Sequence, residues 1–373
     1  MFDNFRASRF SAVFLLFLFL IASCTGGKGP DADKEQNIPK NIILLIGDGM
    51  SYPQVAAAWY EFGGLNMTGM PYTGSAFTHS LNNRVTDSAA AGTALSTGYK
   101  TNSGMVAQLP DGTPLETIAQ YASSLGKSTA IMASVRVTHA TPAVFGVHHP
   151  DRGEEFDIAE KFVDSGIDML LGAGWNYFLP EGEGGEREDG RNLIAEMEEK
   201  GYVYIDDEEN IDQIAGNDRV IAFLRGANLQ RYPQRGDQMN RLTVAALEQL
   251  SQNPEGFFIM IEGAMIDWGG HANDAEYVLQ ETKDFDNVVG DALEFAKNDG
   301  NTLVIVTADH ETGGMTLNSG SEGGHEYGWT TGGHTALPVP VYTYGPSAEK
   351  FTGTYHITDV ARKMFSLWGK ELE

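Results

Sequence analysis

One cysteine, Cys24, in a chain of 373 residues leaves no partner for an intrachain disulfide. Stability must then come from core packing or from bound metal. Basic residues are scarce too: 25 Lys and Arg face 51 Asp and Glu, a formal net charge of −26. A surface of that sign repels nucleic acid and anionic lipid headgroups, which argues against polyanion binding and against nucleic acid as a partner. The acids are spread among apolar runs, which marks a solvated globular surface and not a disordered tail. A bound metal can still reverse the field locally and admit an anionic substrate. No internal repeat is visible. The N-terminal apolar run, "FSAVFLLFLFLIA" at residues 10–22, is too short to span a bilayer comfortably.

That run has the length of a signal-peptide core. Arg6 and Arg9 precede it, and "IAS" leads into Cys24. The pattern resembles a bacterial lipoprotein signal, with residues 1–23 removed and lipid on Cys24; an ordinary signal peptide followed by a chance cysteine is the alternative. The lipoprotein reading makes the protein exported and lipid-anchored, periplasmic or at the cell surface, with the anchor its sole membrane contact. Residues 24–39 are polar, Gly-containing and aperiodic, which predicts a flexible tether, and residues 40–373 are expected to form the folded domain.

What is present in quantity is hydrophobic content, 42%, enough for one large core. The runs "NIILLIGDG", "KSTAIMAS", "GIDMLLGAG", "RVIAFL", "GFFIMIEGAMID" and "NTLVIVTADH" fit strands buried on both faces. Between them lie amphipathic stretches such as "EEFDIAEKFVDSG", "RNLIAEMEEKG", "MNRLTVAALEQLSQ" and "DAEYVLQETKDFDNVVGDALEFAKND". Alternating strands and helices predict a single α/β domain, with a central, mostly parallel sheet covered by helices on both faces. "LPEGEGGEREDGR" reads as an exposed loop.

The stretch "NRVTDSAAAGTALSTG", residues 83–98, poses a chemical question. Ser88 heads a run of small residues, and the stretch contains no histidine or lysine to take its proton. Help must come from elsewhere, and ligands in open sheets gather beyond the carboxyl ends of the strands. Three strand candidates end in loaded segments, holding Asp48, then Glu262, Asp267 and His271, then Asp309 and His310. His334 lies in a Gly-rich loop. A lone Asp is commonly a helix cap, but Asp48, Asp267, His271, Asp309, His310 and His334 together suit mixed N/O ligation of zinc. His79, His148, His149, His325 and His356 lack such company and read as surface or satisfied core residues.

"GDGM", "TDSAAAGTA", "HATPA" followed by Arg152, "EGAMIDWGGH", "TADHETGG" and "GGHTA" occur in the order of the alkaline phosphatase family, which this sequence resembles from about Asn41 to its last helix. The resemblance implies the family's α/β fold and hydrolysis of small phosphate monoesters at alkaline pH through a phosphoserine on Ser88. It assigns Asp267, His271 and His334 to one zinc, and Asp48, Asp309 and His310 to a second that also touches Ser88. Asp48, Thr141 and Glu262 match a magnesium site with His139 beside its water shell. Metal activation of Ser88 would answer the question of its proton, and Arg152 would fork onto the phosphate oxygens. The sequence departs from the best-known bacterial pattern at two substrate-side positions. His139 and Trp268 stand where that pattern has Asp and Lys, which predicts a third site weaker for Mg2+ and open to Zn2+ or Co2+. Only 23 residues separate His310 from His334, where larger relatives insert a subdomain often found at the subunit interface, so a homodimer does not carry over automatically. A phosphodiesterase, a sulfatase-type hydrolase and a non-catalytic phosphate- or zinc-binding lipoprotein are the alternatives.

Overall fold

A computed structural model describes residues 38–372 apart from 225, 322 and 323; the leader at 1–23 and the tether up to residue 37 lie outside the described residues. The strands are β1 (Asn41–Gly47), β2 (Tyr72–Phe77), β3 (Ser128–Arg136), β4 (Met169–Ala173), β5 (Val203–Ile205), β6 (Val220–Phe223) and β7 (Phe257–Gly263). They continue as β8 (Thr302–Thr307), β9 (Glu311–Thr312), β10 (Thr316–Ser319), β11 (His325–Gly328), β12 (His334–Thr335), β13 (Val339–Tyr344) and β14 (Gly353–His356). The helices are α1 (Tyr52–Phe62), α2 (Ser88–Thr97), α3 (Ile118–Ser124), α4 (Ala140–Gly146) and α5 (Glu155–Phe162). After them come α6 (Leu193–Glu199), α7 (Gln238–Leu250), α8 (Met265–His271), α9 (Ala275–Asp299) and α10 (Thr358–Leu367).

Ten strands form one sheet in the order β14-β2-β13-β8-β1-β7-β3-β4-β6-β5. Its pairs are parallel except where β13 runs against β2 and β8. The middle strands β1, β7 and β8 are buried at every residue, as their uninterrupted apolar runs require of strands covered on both faces. Two neighbours on β7 show both covers: Phe257 packs against Phe295 of α9, and Phe258 stacks on Phe145 of α4. The described residues therefore form the single α/β domain read from the sequence.

The strand order explains why the loaded segments converge. β8, β1, β7 and β3 are consecutive and parallel, so the chain leaves all four at one edge of the sheet. The apolar run through Asp267 is not all strand: β7 stops at Gly263 and α8 carries Asp267 and His271. The loop at 179–191 is largely exposed, with one correction. Arg187 folds inward, donating to the carbonyls of Phe156 and Tyr177 at 3.0 and 3.2 Å, and pairs with Asp189. Among the described residues no helix is long and apolar enough to cross a membrane.

Candidate active site

Ser88 opens α2 and is nearly buried, and the preceding Asp87 caps the helix by accepting from the Ala90 N–H at 3.1 Å. The small residues that follow have a packing reason. A Cβ on Gly92 would lie 2.7 Å from Cγ2 of Val144, so α2 presses directly on α4, the helix that carries Thr141. The other Asp87 oxygen accepts from Gly104 N–H at 3.0 Å and from Arg152 Nη1 at 3.3 Å. Arg152 is thereby held beside the start of α2, with Nη2 3.2 Å from Nε2 of His139. Asp87 was legible only as a neighbour of Ser88; its hold on Arg152 spans 65 residues.

Ser88 Oγ lies 3.3 Å from His310 Nε2, and that same nitrogen is 3.2 Å from Asp309 Oδ2 and 3.4 Å from Asp48 Oδ1. Asp309 takes its orientation from backbone, accepting from Gly49 and His310 N–H groups at 3.2 and 3.0 Å. Gly49 is required here: its φ is +73°, and a Cβ would lie 2.7 Å from Thr312 Oγ1 and 2.9 Å from the Asp267 Cα.

The second group is arranged by its outer hydrogen bonds. His271 Nδ1 donates to the Gly332 carbonyl at 2.7 Å and His334 Nδ1 to the Thr86 carbonyl at 2.9 Å. Both rings then turn Nε2 inward, the two nitrogens 3.2 Å apart. Asp267 Oδ2 is 3.3 Å from His271 Nε2, and Oδ1 is 3.6 Å from His334 Nε2. Two lone pairs and a carboxylate directed at one point call for a cation.

A third convergence joins Asp48, Glu262 and His139, each offering an atom within 4.8 Å of the others. His139, expected beside a water shell, is thus near enough to be a ligand itself. Thr141 Oγ1, His139 Nδ1, Asp48 Oδ1, Asp309 Oδ2 and both Glu262 oxygens are buried without a hydrogen-bond partner. Burial, then the charge of Asp309, pushes the Glu262 carboxyl up to about 8, and burial with Asp309, Asp267 and Glu262 raises Asp48 well above the carboxylate range. Burial and the guanidiniums of Arg152 and Arg136 lower His139 well below its ordinary value. Four unpaired buried carboxylate oxygens in one place, on Asp48, Asp309 and Glu262, fit divalent cations, whose charge would make the ionised forms favourable.

The structure thus brings Ser88, Asp48, His139, Thr141, Arg152, Glu262, Asp267, His271, Asp309, His310 and His334 to one edge. Trp268 stands between two ligand candidates, half-buried against the cluster of Ala133, Val135, Ala264 and Met265. Cys24 lies outside the described residues. Of the remaining histidines, His149 is buried and bonded to the Asp151 carbonyl, and His148 to that of Ala107. Sequence reasoning assigned no role to Glu311, which is buried and accepts from Gln54 Nε2 at 2.8 Å, from two backbone N–H groups at 3.1 Å and from the Thr335 hydroxyl.

A family model described as alkaline phosphatase matches residues 39–327. Alkaline phosphatase 3 of Bacillus subtilis (strain 168) is 30% identical across 92% of this chain and 93% of its own. The solved structure of alkaline phosphatase from the Antarctic bacterium TAB5 is 37% identical, covers 89% of this chain and 99% of its own, and matches with a TM-score of 0.84. Variants of that enzyme with a histidine replaced by Asp or Glu, 36% identical over 88% of this chain and 98% of theirs, TM-score 0.81, are described with Mg bound in the M3 site.

Proposed function

The chain belongs to the alkaline phosphatase family, and from that premise we propose that it hydrolyses phosphate monoesters to an alcohol and inorganic phosphate at alkaline pH, through a phosphoserine on Ser88. The observation that carries the reading is the approach of Ser88 and Arg152 to three convergent groups of metal-competent side chains. Asp267, His271 and His334 would hold one zinc, and Asp48, Asp309 and His310 a second. Asp48, Glu262 and Thr141, with His139 adjoining, would hold magnesium. When bound, such ions lower the pKa of coordinated hydroxyls and draw charge from phosphoryl oxygens.

The chain's own residues do the rest. Ser88 attacks phosphorus and the alcohol leaves; water then hydrolyses the phosphoserine. The free N–H groups at the start of α2 face the anion. Arg152, steadied by Asp87, forks onto two oxygens that stay with phosphorus in both steps, a fit to a dianionic monoester more than to a diester. The zinc-loaded protein should turn over p-nitrophenyl phosphate far faster than the bis-ester or p-nitrophenyl sulfate. A preference for either of those, or phosphate binding without turnover, overturns the reading. Export and lipid anchoring through Cys24 belong to the same proposal and rest on residues 1–24 alone.

Arg152→Ala tests the fork. Substrate and product phosphate share the oxygens it grips, so KM and the inhibition constant of phosphate should rise together, by about tenfold or more, with a smaller fall in kcat. An unchanged inhibition constant would show that Arg152 points elsewhere.

A further inference from the structure

Thr312 is fully buried, in the two-residue strand β9, which pairs with β12 so that Thr312 lies directly across from His334. Its Oγ1 is 2.5 Å from Asp267 Oδ1 and 3.3 Å from His310 Nδ1. Those two partners belong to different metal-ligand groups, so one hydroxyl touches both. The chemistry of the contacts fixes their direction. An ionised carboxylate can only accept, so the single hydroxyl proton goes to Asp267. Towards His310 the oxygen then has only lone pairs to offer, and Nδ1 must carry the hydrogen. That leaves Nε2 as the free nitrogen, on the side where Ser88, Asp48 and Asp309 converge.

We propose that Thr312 is a shared positioning residue, whose hydroxyl orients Asp267 for the first zinc and locks His310 in the Nδ1–H tautomer for the second. The inference rests on the two-zinc reading of the site. The surroundings hold Thr312 in place: its carbonyl accepts from Gln54 Nε2 at 2.9 Å, and that amide also donates to Glu311 at 2.8 Å. Its methyl lies where a Cβ on Gly270 would approach to 3.0 Å, so α8 packs closely over it. Thr312→Val keeps this shape and deletes the hydroxyl; Thr312→Ser keeps the hydroxyl and deletes the methyl.

Zinc affinity, measured by chelator competition on wild-type protein and both variants, separates the roles. Thr312→Val should bind both zincs about 10- to 100-fold more weakly, with Thr312→Ser close to wild type. If wild type holds two zincs tightly and Thr312→Val matches it, or loses affinity at one site only, the shared role is overturned while the metal reading stands. If wild type binds no zinc, the metal reading itself fails. Nitrogen-15 spectra of histidine-labelled, zinc-loaded wild type give a check that needs no variant: His310 should be ligated through Nε2 with a slowly exchanging proton on Nδ1, and ligation through Nδ1 overturns the proposal.

Discussion

Ser88→Ala is expected to lower kcat on a phosphate monoester by about a thousandfold or more while the protein keeps its metals. The size of the loss follows from the site. Ser88 Oγ is the hydroxyl at the mouth of α2, and its close neighbour is a nitrogen, His310 Nε2 at 3.3 Å, shared with two carboxylates. The His310 lone pair and those two carboxylate oxygens, which lack hydrogen-bond partners, face one point as a set of ligands and not as a base with its own acid, so activation of the hydroxyl depends on a cation in the same place, and alanine leaves nothing there to activate. Metal retention follows because each ligand group keeps three His, Asp or Glu side chains when the serine is removed. Residual turnover by direct attack of water on the bound ester sets the floor. The checks are kcat, metal content, and the phosphopeptide recovered after acid quench of the wild-type reaction. Wild-type rates from the variant, or a phosphorylated peptide without Ser88, would remove the serine from the mechanism.

The strands that carry this chemistry were the easiest to read. β1, β3, β7 and β8 are buried throughout their centres, and burial on both faces leaves a sequence almost no freedom to be polar. The other end of the sheet left little trace. β2, "YTGSAF", alternates weakly, β14 has four partly exposed residues, and β13 contains a proline, which ordinarily argues against an interior strand. Pro340 is tolerated because β13 meets β8 only from Tyr342 onward, and its carbonyl is taken by the Thr307 hydroxyl at 2.9 Å. The same contrast holds at the site. Ligand candidates announce themselves as Asp, Glu and His at strand ends. Asp87 and Thr312 do not, because capping Asp and buried Thr are common and their meaning lies in partners 65 and 45 residues away. Trp268 showed that its position departs from a familiar pattern, but not what it packs against.

Removing the metals should lower the melting temperature by an amount that grows from pH 5 to pH 9, reaching the order of 10 °C. Without cations the domain keeps Asp48, Glu262, Asp267 and Asp309 buried within one edge of its sheet. The Glu262 carboxyl, raised to about 8 by burial and by Asp309, stays protonated in the fold at pH values where the unfolded chain has released its proton. Its favourable contribution is complete below the unfolded carboxylate pKa and is lost as pH rises through about 8. Asp48, raised by the same causes, acts with the same sign. His271, raised to about 9 chiefly by its hydrogen bond with Asp267, adds to the trend: its contribution is present below the unfolded imidazole pKa and lost as pH rises through 9. Asp267 works at the other limb. Burial opposes its ionisation, but His271 and His310 outweigh that and hold it well below the carboxylate range, so its contribution fades only as pH falls into acid. Metal binding reverses the alkaline loss, since it favours the deprotonated ligands. Glu262→Gln separates this account from a general weakening of the fold. The neutral amide should bind magnesium poorly, yet under chelation at pH 9 it should melt above chelated wild type, because it deletes the charge that the empty site cannot accommodate. A chelated protein whose melting temperature ignores pH, or a Glu262→Gln variant that melts below chelated wild type at pH 9, would mean that these carboxylates find compensation the hydrogen-bond network does not provide.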